Sequence, residues 1–158
     1  ELTSSNAPLR GEKGSMYEGG LRVPFLMQWP GTLPKGKVED RPIISMDLLP
    51  TTATIAGAKI PPDVDGIDLM PYLTGEKPDR PHPTFFWRQG SRMALRDGDW
   101  KIVGRRTRDG IQWELFDLES DLAENRDLAE THPSKLATLR GKWEEWNREM
   151  RDPIFGGN

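Results

Sequence analysis

Gly11-Glu12-Lys13-Gly14-Ser15-Met16-Tyr17-Glu18-Gly19-Gly20-Leu21-Arg22-Val23-Pro24 sets one lysine just ahead of a glycine pair and an apolar run. The glycines at 14, 19 and 20 let the backbone turn, or approach a ligand, where a Cβ would clash. Lys13 carries a compact ammonium on a long stem, a group suited to neutralising charge as it develops on an oxyanion. Glu18 and Arg22 flank the glycine pair, and long charged groups taken inside a protein need partners. They therefore read as a supporting pair that fixes the lysine loop, without a catalytic role.

Outward from this stretch, residues 22–29 (Arg-Val-Pro-Phe-Leu-Met-Gln-Trp) form an apolar run closed by Pro30-Gly31. The run predicts a short strand buried on both faces, with Pro24 near its start, where a missing donor is tolerated. Ser45 to Gly57 has a capping serine or aspartate, a proline in the first turn and a glycine stop, the marks of a helix. Leu48, Leu49, Thr52, Ile55 and Ala56 recur at helical spacing and are its expected inner face, and Asp47 reads as a helix-start residue. From Lys59 to Pro83 the chain is rich in proline and should run over the surface, with at most a short helix around Leu69 to Leu73. It marks a boundary between residues 1–83 and 84–158.

Past that boundary the period changes to two. Phe85 and Trp87, Met93 and Leu95, Trp100 and Ile102, and Trp113 and Leu115 each set two large apolar residues on one face of a candidate strand. Turns are expected at Gln89-Gly90-Ser91, Asp97-Gly98 and Asp109-Gly110. Four such strands predict an antiparallel meander with one tryptophan-rich face. Leu136, Leu139, Trp143, Trp146 and Met150 recur every three or four residues after Pro133 and supply a covering helix.

Composition removes several functions. The net charge is -3, with 22 basic and 25 acidic residues interspersed, so no basic stripe awaits a nucleic-acid partner. No apolar run approaches the ~20 residues of a membrane span, and Glu1 to Asn6 lacks a signal-peptide pattern. The chain has no cysteine, which excludes disulfides and thiolate metal sites within it. Asp117, Glu119, Asp121 and Glu124 have the wrong spacing for a calcium loop and read as a solvated acidic turn. His82 and His132 read as surface histidines in proline-flanked loops.

The Gly-x-Lys followed by Glu-Gly-Gly-x-Arg-Val-Pro resembles the sulfatase branch of the alkaline-phosphatase superfamily. Asp65-Gly66-Ile67-Asp68-Leu69, Leu73-Thr74-Gly75, Leu115-Phe116-Asp117-Leu118 and Leu128-Ala129 fit the same pattern, with departures at Leu122 and Asp127. The resemblance implies an alkaline-phosphatase-like α/β fold, of which 1–83 is the C-terminal end of the catalytic domain. Residues 84–158 would then be a C-terminal subdomain, a four-stranded antiparallel sheet covered by one helix. It also implies hydrolysis of a sulfate ester, on a small molecule or a glycan, with Lys13 contacting the sulfate.

On the same resemblance, an upstream cysteine or serine becomes formylglycine, and calcium or magnesium holds the sulfate oxygens. Neither group is expected to be bound by these residues, so the chain alone is expected to be inactive and to pack on an N-terminal part of its own protein. Secretion or periplasmic export is a family-level expectation, and the residues themselves leave localisation unknown. Two rivals stand beside this reading: a phosphomonoesterase or phosphonate hydrolase of the same superfamily, and a non-catalytic binding module on the same scaffold.

Overall fold

The computed structural model describes residues 5–152 and divides into two compact units. One takes the chain up to Pro24 together with Thr84 onward, and the other is Phe25–Pro83. The residues up to Pro24 thus join the sheet-bearing unit, instead of the segment that precedes Thr84, because Met16, Tyr17 and Leu21 pack on the sheet.

In the first unit, strands β1 (Thr84–Gln89), β2 (Arg92–Asp97), β3 (Trp100–Thr107) and β4 (Gly110–Asp117) form an antiparallel sheet in sequence order. Three two-residue hairpins connect them. Gly90 and Gly98 take the first central position with φ of +55° and +62°, the conformation a type II′ turn demands there. The loop pairs are Gly98-Asp99 and Arg108-Asp109, one residue off the dipeptides read from sequence, since Asp97 and Gly110 are themselves paired strand residues.

Helix α4 (Pro133–Glu149) covers one face. Leu139 and Trp143 from the helix, with Leu128, close on Met93, Leu95, Ile102 and Leu115. Trp113 meets Trp143 edge-on at 5.7 Å, and Phe86 stacks on Trp146 at 5.0 Å, geometries that aromatic pairs favour. A Cβ on Gly104 would lie 2.6 Å from both Met93 and the Trp113 ring, so glycine at this position lets the indole lie across the strand.

The second face is also apolar, which differs from the single covered face expected. Ala94, Val103, Phe116 and Leu118 form it with Met16, and Trp87, Tyr17 and Leu21 pack alongside. Phe85, Phe86 and Trp87 are consecutive, so β1 presents large rings to both sides of the sheet. Trp87 therefore lies on the face away from α4.

The second unit is built differently. A 3-10 turn (Ser45–Asp47) leads into helix α2 (Leu48–Ile55), and α3 (Met70–Leu73) is a single turn. Gly57, at φ +64°, ends α2. Its N–H bonds Thr54 O at 3.1 Å while that of Ala58 bonds Ala53 O at 2.8 Å, a Schellman stop. Two expectations fail here. Residues 22–29 form no strand, and Val23, Phe25, Leu26, Met27 and Trp29 are exposed. In α2 the buried residues are Pro50 and Thr51, while Leu48, Leu49 and Ile55 face outward. Both predictions presumed an apolar layer that buries these side chains, and the described residues do not bury them.

Polar ties hold this unit instead. Asp47, fully buried, accepts from Ile44 N at 3.0 Å, from Ile67 N at 3.0 Å, and pairs with His82 Nε2 at 2.7 Å. Thr51 Oγ1 donates to Asp47 O and accepts from Leu69 N. Gly66 is required at this crossing, because a Cβ would lie 2.0 Å from Met46 O. Asp47 is thus more than a helix-start residue, and His82 is held against it.

Candidate functional site

Lys13 occupies the second position of a tight turn. Ser15 N bonds Glu12 O at 2.9 Å, and Gly14, third in the turn, has φ +87°, the type II arrangement that calls for glycine there. The lysine is exposed, and its ammonium has no hydrogen-bond or ion-pair partner among the described residues.

Helix α1 (Glu18–Leu21) seats that turn. Gly19 N bonds Arg10 O at 2.8 Å. A Cβ on Gly19 would come within 2.3 Å of Gly11 O, and one on Gly20 within 2.3 Å of Ser15 O. The glycine pair therefore serves backbone-to-backbone packing beneath the turn, and Gly14 serves the turn itself.

Glu18 is buried, and its short partner is Lys101. Lys101 Nζ, wholly buried in β3, donates to Glu18 Oε1 at 2.8 Å and lies 2.8 Å from Glu124 Oε1. Glu124 Oε2 accepts from Glu18 N at 2.6 Å. Arg22 and Arg96 approach the second Glu18 oxygen at 3.8 and 4.0 Å, Arg22 with its side chain 44% exposed. Burial pushes the Glu124 carboxyl above the usual carboxylate range, and the nearby ammonium of Lys101 opposes that shift. Glu124 thus lies at the centre of a closed ion cluster, a correction to the solvated acidic turn read from sequence.

Arg10 ties the same segment to the sheet a second time. Its guanidinium lies 3.9 Å over the Tyr17 ring and donates to Tyr17 Oη, Glu114 Oε1 and the backbone oxygen of Glu124. The Tyr17 hydroxyl donates to Glu114 Oε2. Burial, then the Glu114 carboxylate, push that hydroxyl up to about 12.

Of the residues singled out from sequence, Lys13, Glu18 and Arg22 share one short segment, yet neither Glu18 nor Arg22 bonds Lys13. Sequence reasoning missed Lys101, Glu124 and Arg10. A signal for Lys101 existed: it shares its strand face with Val103, opposite Ala94, so a lysine there enters an apolar layer. Glu124, in an irregular acidic loop, gave none. Among the described residues no group of three or more histidine, aspartate and glutamate side chains converges as a metal site. The described residues thus bring together no donor set for the divalent ion that the resemblance implies. No helix among the described residues is long and apolar enough to cross a membrane.

Both the sequence and the fold of the chain match known proteins. Residues 11–148 match the family described as N-sulphoglucosamine sulphohydrolase, C-terminal, and the chain belongs to that family. It is 46% identical over 87 residues to steryl-sulfatase of Mus musculus, covering 54% of this chain and 14% of that protein. It is 31% identical over 149 residues to a sulfatase of Formosa agariphila, covering 84% and 27%. Among solved structures, the crystal structure of Ps i-CgsB superposes with a TM-score of 0.81 at 29% identity, covering 98% of this chain and 35% of that one. Phosphonate monoester hydrolase SpPMH from Silicibacter pomeroyi superposes with a TM-score of 0.62 at 26% identity, covering 81% and 29%. The chain therefore spans between a seventh and about a third of these relatives, and has the alkaline-phosphatase-like fold of the sulfatase neighbours.

Proposed function

We propose that the protein carrying this chain hydrolyses sulfate esters and that Lys13 contacts the sulfate. The observation that carries the reading is an exposed lysine without a protein partner, on a turn fixed from below by Gly19, Gly20 and the Glu18–Lys101–Glu124 cluster. A pre-positioned ammonium aimed at an oxyanion stabilises the charge that builds in the transition state and needs no reorganisation to do so. Glu18 supports that turn, with Arg22 at the rim of its carboxylate. Formylglycine and calcium or magnesium would be supplied from outside these residues, where residues 1–83 complete a catalytic α/β domain. The exposed apolar side chains at 23–29 and on α2 would pack there. The chain alone is then inactive.

The test is steady-state turnover of an aryl sulfate by the intact protein. Lys13→Ala is expected to lower kcat and kcat/KM together by about 10²–10³, the loss typical of one oxyanion donor. Lys13→Arg is not expected to restore it. Near-parental rates in both variants remove Lys13 from the site.

Phosphonate or phosphate ester hydrolysis is a second reading, favoured by the likeness to the phosphonate monoester hydrolase, since one lysine does not separate sulfur from phosphorus. Relative kcat/KM on matched aryl sulfate and aryl phosphonate decides between them. The relatives' names include a steryl-sulfatase and an N-acetylgalactosamine-6-sulfatase, so the substrate is either a sulfated small molecule or a sulfated glycan.

A further inference from the structure

Like charges set directly opposite each other on adjacent strands destabilise a sheet, yet Arg92 of β2 stands opposite Arg105 of β3. The register carries the row outward on both sides. Gln89 of β1 pairs with Arg92, and Gln112 of β4 pairs with Arg105. Opposed residues share a face, and parity with Ala94 and Val103 puts these four on the face that holds Met16 and Tyr17. All four are exposed, and neither arginine has a carboxylate partner among the described residues.

The row adjoins the lysine turn. The Arg92 guanidinium donates to Gly14 O, the residue next to Lys13. Across four strands the row spans three inter-strand steps of about 4.8 Å, roughly 14 Å in all. Two arginines at opposed positions, flanked by two amide side chains, offer donors to oxyanions and sugar hydroxyls, together with amide oxygens that take hydroxyl protons. An anion bound between the arginines would also relieve their repulsion. A substrate with a single sulfate at Lys13 has nothing to place there.

We propose that Gln89, Arg92, Arg105 and Gln112 form an accessory anion subsite, which receives a further sulfate or a carboxylate of a charged oligosaccharide whose scissile sulfate lies at Lys13. This rests on the reading of Lys13 given above and narrows the substrate to a polyanionic glycan. The guanidiniums bind the second anion, and the outer amides hydrogen-bond the sugar beside it.

Arg105→Gln is the first variant, because Arg105 does not touch the lysine turn; Arg92→Gln and Arg92→Lys follow, each checked for an unchanged thermal midpoint. Calorimetry on the intact protein uses a heparin tetrasaccharide, its carboxyl-reduced form and its singly sulfated form. Arg105→Gln is expected to weaken binding of the full tetrasaccharide by about ten- to hundredfold, as for loss of a charged hydrogen bond. Of the two modified forms, the one whose binding the variant leaves unaltered has lost the anion that the row receives. Kinetically, the ratio of kcat/KM on the tetrasaccharide to that on 4-nitrophenyl sulfate is expected to fall by a like factor.

A parent that does not bind the tetrasaccharide overturns the proposal, as does equal binding by parent and Arg105→Gln. Binding of single-stranded DNA of matched charge as tightly as the tetrasaccharide also overturns it. Failure of the parent to turn over any sulfate ester strikes the reading of Lys13 alone, because the calorimetric comparison needs no turnover.

Discussion

The sheet-bearing unit buries apolar side chains on both faces of its strands, whereas the unit Phe25–Pro83 leaves Leu26, Leu48, Leu49 and Ile55 in solvent and holds itself with polar ties. The contrast teaches where each unit's stability resides. In the first it comes from ring-on-ring packing and a closed ion cluster. In the second a few buried acceptors, Asp47 above all, carry the local structure.

The largest expected effects fall in the sheet unit. Trp143→Ala is expected to cost about 3–5 kcal/mol through the cavity left beneath α4, read by denaturant unfolding of the chain. A melting curve like the parent's would break the comparison at its strongest point. Lys101→Met strands two buried carboxylates and is expected to cost a similar amount, about 3–5 kcal/mol. Adding Glu18→Gln and Glu124→Gln should return part of that loss, which a purely steric effect of methionine would not allow.

Asp47→Ala is the matching test in the second unit. It leaves the Ile44 and Ile67 amides without their acceptor, at about 1–3 kcal/mol for each that water does not reach. Hydrogen exchange should report it on α2 and the 65–69 loop. Unchanged protection there would show that packing, not Asp47, holds this unit.

Two carboxyls, one in each unit, should also respond to acid with opposite signs. Hydrogen bonds from Arg41 hold the Glu39 carboxyl at about 2, below its ordinary 4.5. Its contribution is present above pH 4.5 and is lost as pH falls through about 2. Glu124 is shifted upward by burial, so its contribution is present below its unfolded pKa and is lost as pH rises through the folded one. Hydrogen exchange at α3, whose Tyr72 carbonyl the Glu39-held Arg41 bonds, and at β3 between pH 2 and 7 separates the two, and Glu39→Gln should flatten only the acid loss at α3. Smallest of all, Leu49→Ser is expected to shift stability by less than about 0.5 kcal/mol, as for an exposed position. A larger loss would mean that α2 has an apolar contact after all.

The sheet was legible from sequence because every partner of its pattern lies among the described residues: Met93, Leu95, Ile102 and Leu115 on one side, Leu139 and Trp143 on the other. The strand expected at 22–29 and the inner face expected on α2 were not, because periodicity reports a side chain's preference for burial and not the presence of a neighbour. In the site, Lys13 and the glycine pair were legible as a stretch of sequence. Lys101 and Glu124 were not, since their meeting depends on β3 and an irregular loop converging on α1 from more than eighty residues away.

That convergence fixes the frame of reference in which Lys13 is placed. The α1 amide and carboxylate that seat its turn are clamped to a strand and a loop of the sheet, so the backbone of the turn is carried with the sheet. Whatever tilts the sheet, including a substitution beneath α4 on its far side, would displace that turn. On the proposed role of Lys13, its aim at an anion would be set by the same packing that sets thermal stability, and the two properties should drift together under mutation.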